Sequence, residues 1–487
     1  MREDILETRK AKLKALEGAG VSAYPETTDR DTAIASAAEN FEALAQSEKP
    51  ITIAGRIRSL RTMGKIAFAH IEDESGKMQA FFEKNTLGEA FDLFANTADI
   101  GDFIEVSGPV FLTKKEEKTV RAASWKMLAK SLRPVPSEHF GMKNEEELLR
   151  RRYLDLLLHG ETRELFRKKN VFWQTIRGFL VERGFLEVQT PVLEKIPGGA
   201  EAEPFVTHYN ALDEDLYLRI SLELALKRLL VGGYEKVFEI GRLFRNEGMD
   251  RDHLQEYDDV EFYWAYADLE KGLAFSEELF RTVARNVLGG YVHAYGEAEI
   301  DWEKPFARVE YFEAFARETG IDLSSEVSVE DLRAKADDLG IAYEKSAGKG
   351  RLIDTIYKKT VRPKLVQPCF LVGHPIEVSP LAKADPDEPK KVLRAQVVAG
   401  GSELSNMFAE LNDPQEQRRR FEEQAKLRAE GDPEAQMLDE GFLEAMEYGM
   451  PPAFGFGMSE RLFAFLMNRS IRETVIFPAV RAVNGLR

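Results

Sequence analysis

The stretch FRNEGMDRDHLQEY (residues 244–257) separates an apolar run, VFEIGRLF (237–244), from an aromatic run, YDDVEFYWAY (257–266). The two flanking runs have the length and composition of β-strands, whereas the segment between them is very polar. The sequence therefore predicts two antiparallel strands, at 237–245 and 257–266, which are joined by a long charged loop.

Side chains alternate between the two faces of a β-strand. The buried face of the second strand is predicted to carry Val260, Phe262, Trp264 and Tyr266. Glu261 and Tyr263 then share the face that is free to hold a ligand. Arg245 supplies a cationic fork suited to phosphate or carboxylate, with Glu247 and His253 on the loop above it. A salt-bridged hairpin without a ligand is the alternative, and this segment alone favours neither.

Two further segments carry candidate ligand-binding residues. GFGMSERLFAFLM (455–467) places two glycines before a helix whose first turn carries Arg461, an arrangement that favours close approach of an anion. GGSELSNMFAELND (400–413) is expected to cluster Glu403, Asn406 and Glu410 if it is locally helical. Carboxylates gathered beside arginines indicate Mg²⁺ and a cationic substrate.

The bulk properties of the chain exclude several classes of protein. Its 487 residues predict two or three domains, and its single cysteine, Cys369, excludes a disulfide framework and a cysteine-based zinc site. No run of apolar residues is long enough to predict a membrane span, and the charged start MREDILETRK predicts a cytoplasmic protein. The net charge of −17 argues against non-specific coating of nucleic acid, but it permits a local basic surface that docks on one RNA.

The N-terminal part of the chain predicts a small β-barrel. Residues 21–48 are predicted to be a connector, and five short strands are expected beyond residue 51, which suits an OB-fold. Arg61, Phe68 and Gln79 fall on these strands, and an aromatic ring beside an arginine suits the binding of single-stranded bases. The alternative is that the aromatic side chains belong to the core of the barrel.

Over nearly its whole length the chain resembles the bacterial class II lysyl-tRNA synthetases. GFLEVQTPVL (184–193) is similar to motif 1 of this class, FRNEG with Tyr257 to motif 2, and GFGMSER with Arg461 to motif 3. Three other segments resemble stretches peculiar to the lysine enzymes and their nearest relatives: IPGGAEAEPF (196–205), LYLRISLELALKRLLVGG (216–233) and EVSPLAK (377–383). The resemblance implies an α+β protein with an OB-fold barrel followed by a catalytic domain built on a mainly antiparallel sheet flanked by helices.

The resemblance implies a role for each candidate residue at the ATP end of the site. Arg245 would hold the α-phosphate and the amino-acid carboxylate, and Arg461 would act with it as a catalytic residue. Glu247 and Tyr257 would contact adenine, and His253 would steady the outer phosphates with Arg461. The metal ligands would be Glu403 and, doubtfully, Gln396, with the number of Mg²⁺ ions left open.

The resemblance also implies the lysine site and the anticodon site. The lysine-binding residues would be Gly199 and Glu223 at the α-amino end, Arg245 at the carboxylate, and Glu261, Tyr263, Asn406, Phe408 and Glu410 along the side chain. A buried ammonium group needs paired carboxylates, and Glu261 with Glu410 would provide them. Phe68 would stack on an anticodon base of tRNA(Lys), while Arg61 and Gln79 would read base edges.

The expected domains are an N-terminal helix and connector (1–50), the anticodon-binding barrel (51–133), a hinge (134–160) and the catalytic domain (161–487). Motif 1 in this class forms the dimer interface, so a homodimer through the region 165–193 is expected. The expected partners are tRNA(Lys), L-lysine and ATP, with no membrane.

Five positions depart from the pattern of the family. Gln396 stands where relatives usually have a metal-binding Glu, and Asp252 precedes His253 where Arg is common, although Arg251 is adjacent. Glu203 replaces an Arg, Ser124 occupies a barrel position where a Glu is expected, and motif 3 is one residue short. These departures leave two alternatives: an aspartate- or asparagine-activating enzyme of the same subclass, and a catalytically inactive tRNA-binding paralogue.

Overall fold

The computed structural model describes residues 2–136, 144–248, 250–251, 253–345, 347–429 and 435–480, with no side-chain description at positions 2 and 3. The chain divides into two units, Met1–Asn144 and Glu145–Arg487. The departure at Asp252 and the middle of the expected hinge, 137–143, lie outside the described residues.

The first unit is a β-barrel with helices packed on it. Its helices and strands are α1 (Arg2–Gly18), α2 (Ile34–Glu39), α3 (Phe41–Ser47), β1 (Ile51–Met63), β2 (Ile66–Glu72), β3 (Lys77–Glu83), α4 (Lys84–Leu87), α5 (Glu89–Thr97), β4 (Phe103–Gly108), β5 (Val110–Leu112), β6 (Lys118–Arg121) and β7 (Ser124–Ala129). The strands pair in the order β5-β6-β3-β2-β1-β4-β7.

Two predictions about this unit are wrong in detail. The connector at 21–48 contains α2 and α3, because Ile34, Ala37 and Phe41 bury their side chains in the core of the barrel. The last two predicted strands are each split, so seven strands form where five were expected. The first split follows Gly108, where a side chain would collide with the carbonyl of Arg121.

The second unit contains a large sheet with helices on one face. Its elements are α6 (Glu145–Arg150), α7 (Arg152–Leu158), α8 (Gly160–Glu182), β8 (Leu186–Glu187), β9 (Leu193–Glu194), β10 (Val206–Tyr209), β11 (Glu214–Leu218), α9 (Glu223–Val231), β12 (Lys236–Phe244), β13 (Glu256–Ala265), α10 (Leu269–Leu288), β14 (Val292–Tyr295), β15 (Ala298–Asp301), β16 (Ala307–Glu310), α11 (Tyr311–Thr319), α12 (Val329–Asp338), α13 (Lys349–Thr360), β17 (Cys369–Pro375), β18 (Lys391–Ala399), β19 (Ser402–Ala409), α14 (Pro414–Ala429), α15 (Glu440–Glu447), β20 (Ala453–Ser459) and α16 (Arg461–Leu466).

Eight of these strands form one sheet in the order β16-β17-β18-β19-β20-β13-β12-β8. Its pairs are antiparallel except β16 with β17 and β12 with β8. Helices α8 and α10 cover one face and share a core with that face, to which Phe262 of β13, Phe456 of β20 and Val397 of β18 contribute. The opposite face is left for the other side chains of the same strands.

The predicted hairpin is confirmed, since β12 and β13 pair antiparallel with Leu243 opposite Tyr257. Val260 and Phe262 face the core as predicted. Tyr266 does not: it lies beyond the end of β13, has φ +64° and is 65% exposed. The chain turns away from the sheet at this residue, so the alternation of the strand no longer applies to it.

The prediction of a local helix at Glu403, Asn406 and Glu410 is wrong, because this segment is strand β19 and its continuation. Gly400 and Gly401, both with positive φ, form a tight turn that pairs β18 with β19. The register shifts by one residue between Ser405 and Glu403. This bulge turns Glu403 to the same face as Asn406, which an unbroken strand would not do.

Candidate active site

A cleft lies on the face of the large sheet opposite α8 and α10. The residues predicted for the ATP end that line it are Arg245, Glu247, His253, Tyr257, Glu403 and Arg461. The residues predicted for the lysine end that line it are Gly199, Glu223, Glu261, Tyr263, Asn406 and Phe408. Two predicted residues, Gln396 and Glu410, are fully buried and are not part of this lining. The strands of one sheet thus bring together residues that are far apart in the sequence.

Glu261 lies at the acidic end of the cleft and is held by three hydrogen-bond donors. Its carboxylate accepts hydrogen bonds from the hydroxyl of Ser221 (2.9 Å), the backbone N–H of Leu222 (2.8 Å) and the hydroxyl of Tyr263 (2.8 Å). Burial, and then the neighbouring charge of Glu223, raise the pKa of Glu261 above its usual range. An incoming ammonium group would relieve both effects.

Glu410 lies close behind Glu261 and forms an ion pair with Lys227, which the sequence interpretation missed. Lys227 is completely buried and also pairs with Glu223, its neighbour one turn earlier on α9. The charges of Glu223 and Glu261 contribute to a raised pKa of Glu410, although burial is the largest cause. Glu223 and Glu410 therefore share one cation, and a third carboxyl group, that of Glu261, lies close to Glu410, which leaves this end of the cleft short of positive charge.

The signal for Lys227 was present in the sequence as the spacing of four residues between Glu223 and Lys227. Lys227 is outnumbered by carboxylates, so the physical preference of this end is still for an ammonium group.

The glycines of motif 3 lie in strand β20 and not at the helix end. A side chain at Gly455 would collide with the carboxylate of Glu410 and the ring of Tyr263. Gly457 lies opposite Glu261 on one side and Asn406 on the other. Gly457 forms part of the floor of the cleft because it leaves room above the backbone, whereas the room above Gly455 is taken by Glu410 and Tyr263.

Arginines dominate the other end of the cleft. Arg245 lies over the ring of Tyr257, with 5.5 Å between its guanidinium carbon and the ring centre. Arg461, the first residue of α16, donates to the backbone carbonyl of Glu403 at 3.4 Å. Burial opposes ionisation of Glu403, but Arg394 and Arg461 hold the pKa of Glu403 below its usual range. His253 lies on the loop, 2.8 Å from Asp250.

Arg394 is a second residue that the sequence interpretation missed. Its guanidinium donates to the side-chain oxygen of Asn406 (2.6 Å), and this oxygen also accepts from Gln396 (3.0 Å). The amide nitrogen of Asn406 donates to Glu403, so Asn406 links the two ends of the cleft. Arg394 lies two residues before Gln396 on β18, and this alternation could have placed it on the same face.

The acceptors near Glu403 are few. The side-chain oxygen of Gln396 is buried and has no hydrogen-bond partner among the residues that the structure describes. Within the same residues, no group of three or more His, Cys, Asp or Glu side chains has the geometry of a metal site. The protein thus offers one carboxylate and one amide oxygen, a set that leaves most ligands of a hard cation to substrate and water.

The candidate anticodon surface lies on the outer face of the barrel. Phe68 is partly exposed, with its ring centre 5.0 Å from that of Phe81, while its neighbours Ala67 and Ala69 are buried. Arg61 is the cross-strand partner of Phe68. Phe68 is therefore not a core residue of the barrel.

Gln79 lies on the same outer face, two residues along β3 from Phe81, the cross-strand partner of Phe68. It donates to the carboxylate of Glu117 at 2.7 Å, and Thr119 donates to its side-chain oxygen at 3.0 Å. Glu117 is a further residue that the sequence interpretation missed. A carboxylate, that of Glu117, therefore lies beside Gln79.

Among the described residues, no helix has both the length and the apolar character that crossing a bilayer requires.

Comparison with known families matches both units of this chain. Residues 144–481 match the model of the class II tRNA synthetases (D, K and N), and residues 51–128 match the model of the OB-fold nucleic acid binding domain. The chain belongs to the class II tRNA synthetases of this group. The predicted fold class, an OB-fold barrel followed by a class II catalytic domain, is confirmed.

The curated relatives narrow the resemblance further. The lysine–tRNA ligase of Halalkalibacterium halodurans is 42% identical over 98% of this chain and 97% of the relative. The lysine–tRNA ligases of Carboxydothermus hydrogenoformans and Bacillus subtilis are 43% and 41% identical over 98% of this chain, and over 98% and 97% of their own lengths. The sequence-based recognition of this family is confirmed.

Proposed function

We propose that this protein is a lysine–tRNA ligase, which activates L-lysine with ATP and transfers lysine to the 3′ end of tRNA(Lys). The observation that carries the proposal is the cleft itself, in which a cluster of carboxylates adjoins an arginine-lined end. Relatives that are named lysine–tRNA ligase and match nearly the full chain support the same activity.

The acidic end would receive the substrate side chain. Glu261 and Glu410 would balance its ammonium group, and the rings of Tyr263 and Phe408 would pack against its four-carbon stem. Lys227 would hold Glu410 in position through their ion pair, so that Glu410 would lie between Lys227 and the substrate ammonium group. A buried charge without a partner costs several kcal/mol. A neutral side chain of the same length would leave the carboxylates without a cation and would therefore bind poorly.

The arginine end would receive ATP. Arg245 would hold the α-phosphate and the lysine carboxylate, Tyr257 would stack on adenine, and Glu247 would accept from the adenine amino group. Arg461 and His253 would steady the outer phosphates. Attack of the carboxylate on the α-phosphorus then gives lysyl-adenylate and pyrophosphate, with positioning and charge neutralisation as the source of the rate enhancement.

Glu403 would take part in holding Mg²⁺, and the buried oxygen of Gln396 is an available second acceptor. The ion would neutralise charge on the phosphates. With one protein carboxylate in this region, its remaining ligands would come from ATP and water. The number of ions stays a prediction.

Lysine-dependent exchange of pyrophosphate into ATP, measured against a panel of amino acids, tests the proposal. Exchange with lysine is expected, whereas exchange with aspartate or asparagine and not with lysine would replace it with the alternative enzyme. Binding of tRNA without any exchange would indicate the inactive paralogue.

The barrel would bind the anticodon of the tRNA, and the homodimer would form through the region 165–193. Exposed apolar side chains of that region, Val181, Leu186 and Leu193 among them, support the second statement. The cytoplasmic location and the domain bounds stay predictions.

Replacing Phe68 by alanine is expected to raise the KM for tRNA about 5- to 150-fold, because stacking contributes about 1–3 kcal/mol per base. Pyrophosphate exchange without tRNA should keep its wild-type rate. Phe103→Ala, which removes another exposed ring from the same barrel, is the matched control. Equal KM values for tRNA in the two variants would mean that Phe68 does not contact the anticodon.

A further inference from the structure

Asp259 is a buried carboxyl group in the cleft to which no role has been given above. It lies on β13 between Tyr257 and Glu261, and alternation puts all three side chains on the cleft face. Asp259 is only 9% exposed, yet its oxygen Oδ1 has no hydrogen-bond partner among the described residues. A buried carboxylate oxygen left without a donor is costly, so such a group calls for a ligand.

Two other carboxyl groups of the cleft lining, those of Glu261 and Glu223, are already engaged. Glu261 accepts from three donors of the protein, and Glu223 forms an ion pair with Lys227. Asp259 thus differs from both of them in having acceptor capacity that faces the cleft.

Arg245 is the neighbour that indicates which part of a ligand Asp259 would contact. Both residues line the cleft, and the Nε of Arg245 also has no partner among the described residues. Burial lowers the pKa of Arg245, but the neighbouring carboxylates of Glu247 and Asp259 help to raise it above its usual range. Arg245, which can bind an anion, thus lies near Asp259, which can bind a cation. The α-carbon of an amino acid carries both a carboxylate and an ammonium group, so one amino acid could contact both residues.

We propose that Asp259 accepts a hydrogen bond from the α-ammonium group of the amino-acid substrate while Arg245 holds its carboxylate. This inference rests on the proposed function and adds Asp259, as a specificity-determining residue, to Gly199 and Glu223, which the resemblance places at the α-amino end. Asp259 would discriminate amino acids from analogues that lack the α-amine, while the acidic end beyond Glu261 selects the side chain.

The surroundings of Asp259 predict that binding is linked to protons. Arg245 and Glu247, on the loop that follows β12, and Arg461, at the start of α16, line the cleft together with Asp259. The ion pair of Arg219 with Glu239 packs against Gly241, which lies opposite Asp259. Burial, and then Glu261, raise the pKa of Asp259 to about 8. An α-ammonium would favour the ionised form, so lysine should release a proton from Asp259 on binding near neutral pH.

Calorimetric binding of two ligands to the full-length protein tests the proposal. L-Lysine has the α-amine, whereas 6-aminohexanoate keeps the carboxylate and the terminal amine but lacks it. Asp259→Asn is expected to weaken the binding of L-lysine about 10- to 100-fold, which is the effect of losing a hydrogen bond to a charged group. The same variant is expected to weaken the binding of 6-aminohexanoate less than about twofold. Asp258→Asn is the matched control, since Asp258 pairs with Arg242 at 2.7 Å.

Equal weakening of both ligands, or no weakening of either, would overturn the proposal. A higher KM for ATP with unchanged lysine binding would also overturn it, because Asp259 would then contact the nucleotide. Failure of the proposed function is a different result, namely no lysine binding and no lysine-dependent exchange by the wild type.

A measurement on the wild type keeps the proposal open to refutation if the variant does not fold. L-Lysine binding is compared at neutral pH in two buffers of different ionisation enthalpy, and the same is done with 6-aminohexanoate. L-Lysine is expected to release more protons than 6-aminohexanoate, and its affinity to rise more steeply as the pH goes from about 6 to about 8. Equal proton release by the two ligands would contradict the role of Asp259.

Discussion

Replacing Arg245 by lysine is expected to lower kcat for lysine-dependent pyrophosphate exchange by about 10²- to 10³-fold, as removal of one preorganised donor does at other charged transition states. The physical reason is the shape of the group. A guanidinium offers a planar fork that can bind the α-phosphate and the lysine carboxylate together, whereas an ammonium is a point charge. Initial rates of exchange at saturating ATP and lysine measure this effect.

The control for this variant is Arg242→Lys, on the strand that ends just before Arg245. Arg242 lies at the surface and pairs with Asp258, so its replacement should change the free energy of unfolding by no more than about 0.5 kcal/mol and leave exchange unaltered. The backbone N–H of Arg245 donates to the carbonyl of Gln255 at 2.8 Å, and a lysine there keeps that bond. Retention of kcat within a factor of about three in Arg245→Lys would mean that the fork does not contact the reacting groups.

Replacing Glu410 by glutamine is expected to raise the KM for lysine by about 100-fold or more and to leave the KM for ATP nearly unchanged. Glu410 and Glu223 share Lys227, so loss of one carboxylate leaves the positive charge of Lys227 balanced by Glu223 alone. An ammonium group that enters this end then meets a weaker negative charge in a buried site, where loss of one ionic partner costs about 3–5 kcal/mol. Exchange kinetics with each substrate varied in turn measure both constants.

Glu423→Gln is the matched control for this prediction. Glu423 is an exposed residue of α14 that pairs with Arg419, and Arg419 keeps a second partner in Glu416 when Glu423 is changed. Its loss should leave both KM values as in the wild type, because a surface ion pair contributes about 1 kcal/mol or less. Comparable increases in the KM values for lysine and ATP in Glu410→Gln would place Glu410 away from the side-chain end of the lysine site.

Much of the site was predictable because it depends on local alternation. The β12–β13 hairpin follows from two short runs of period two on either side of a polar loop, and the same period assigns Glu261 and Tyr263 to one face. Family resemblance then supplied the partners of that face. The prediction failed at Tyr266, which lies beyond the end of the strand, and at Glu403, where the residue spacing indicated a helix but the structure has a bulged strand.

The sequence by itself determined the family, the hairpin, and the presence of several acidic residues in addition to the glycines of motif 3. The tertiary structure alone decided which polar side chains are paired. Glu410 forms an ion pair with Lys227, Arg394 donates a hydrogen bond to Asn406, and Gln79 donates one to Glu117. The physical reason is one of range. The period of a strand is set by neighbouring residues, whereas a buried ion pair depends on how strands and helices distant in the sequence pack together, and burial is what makes that pairing energetically decisive.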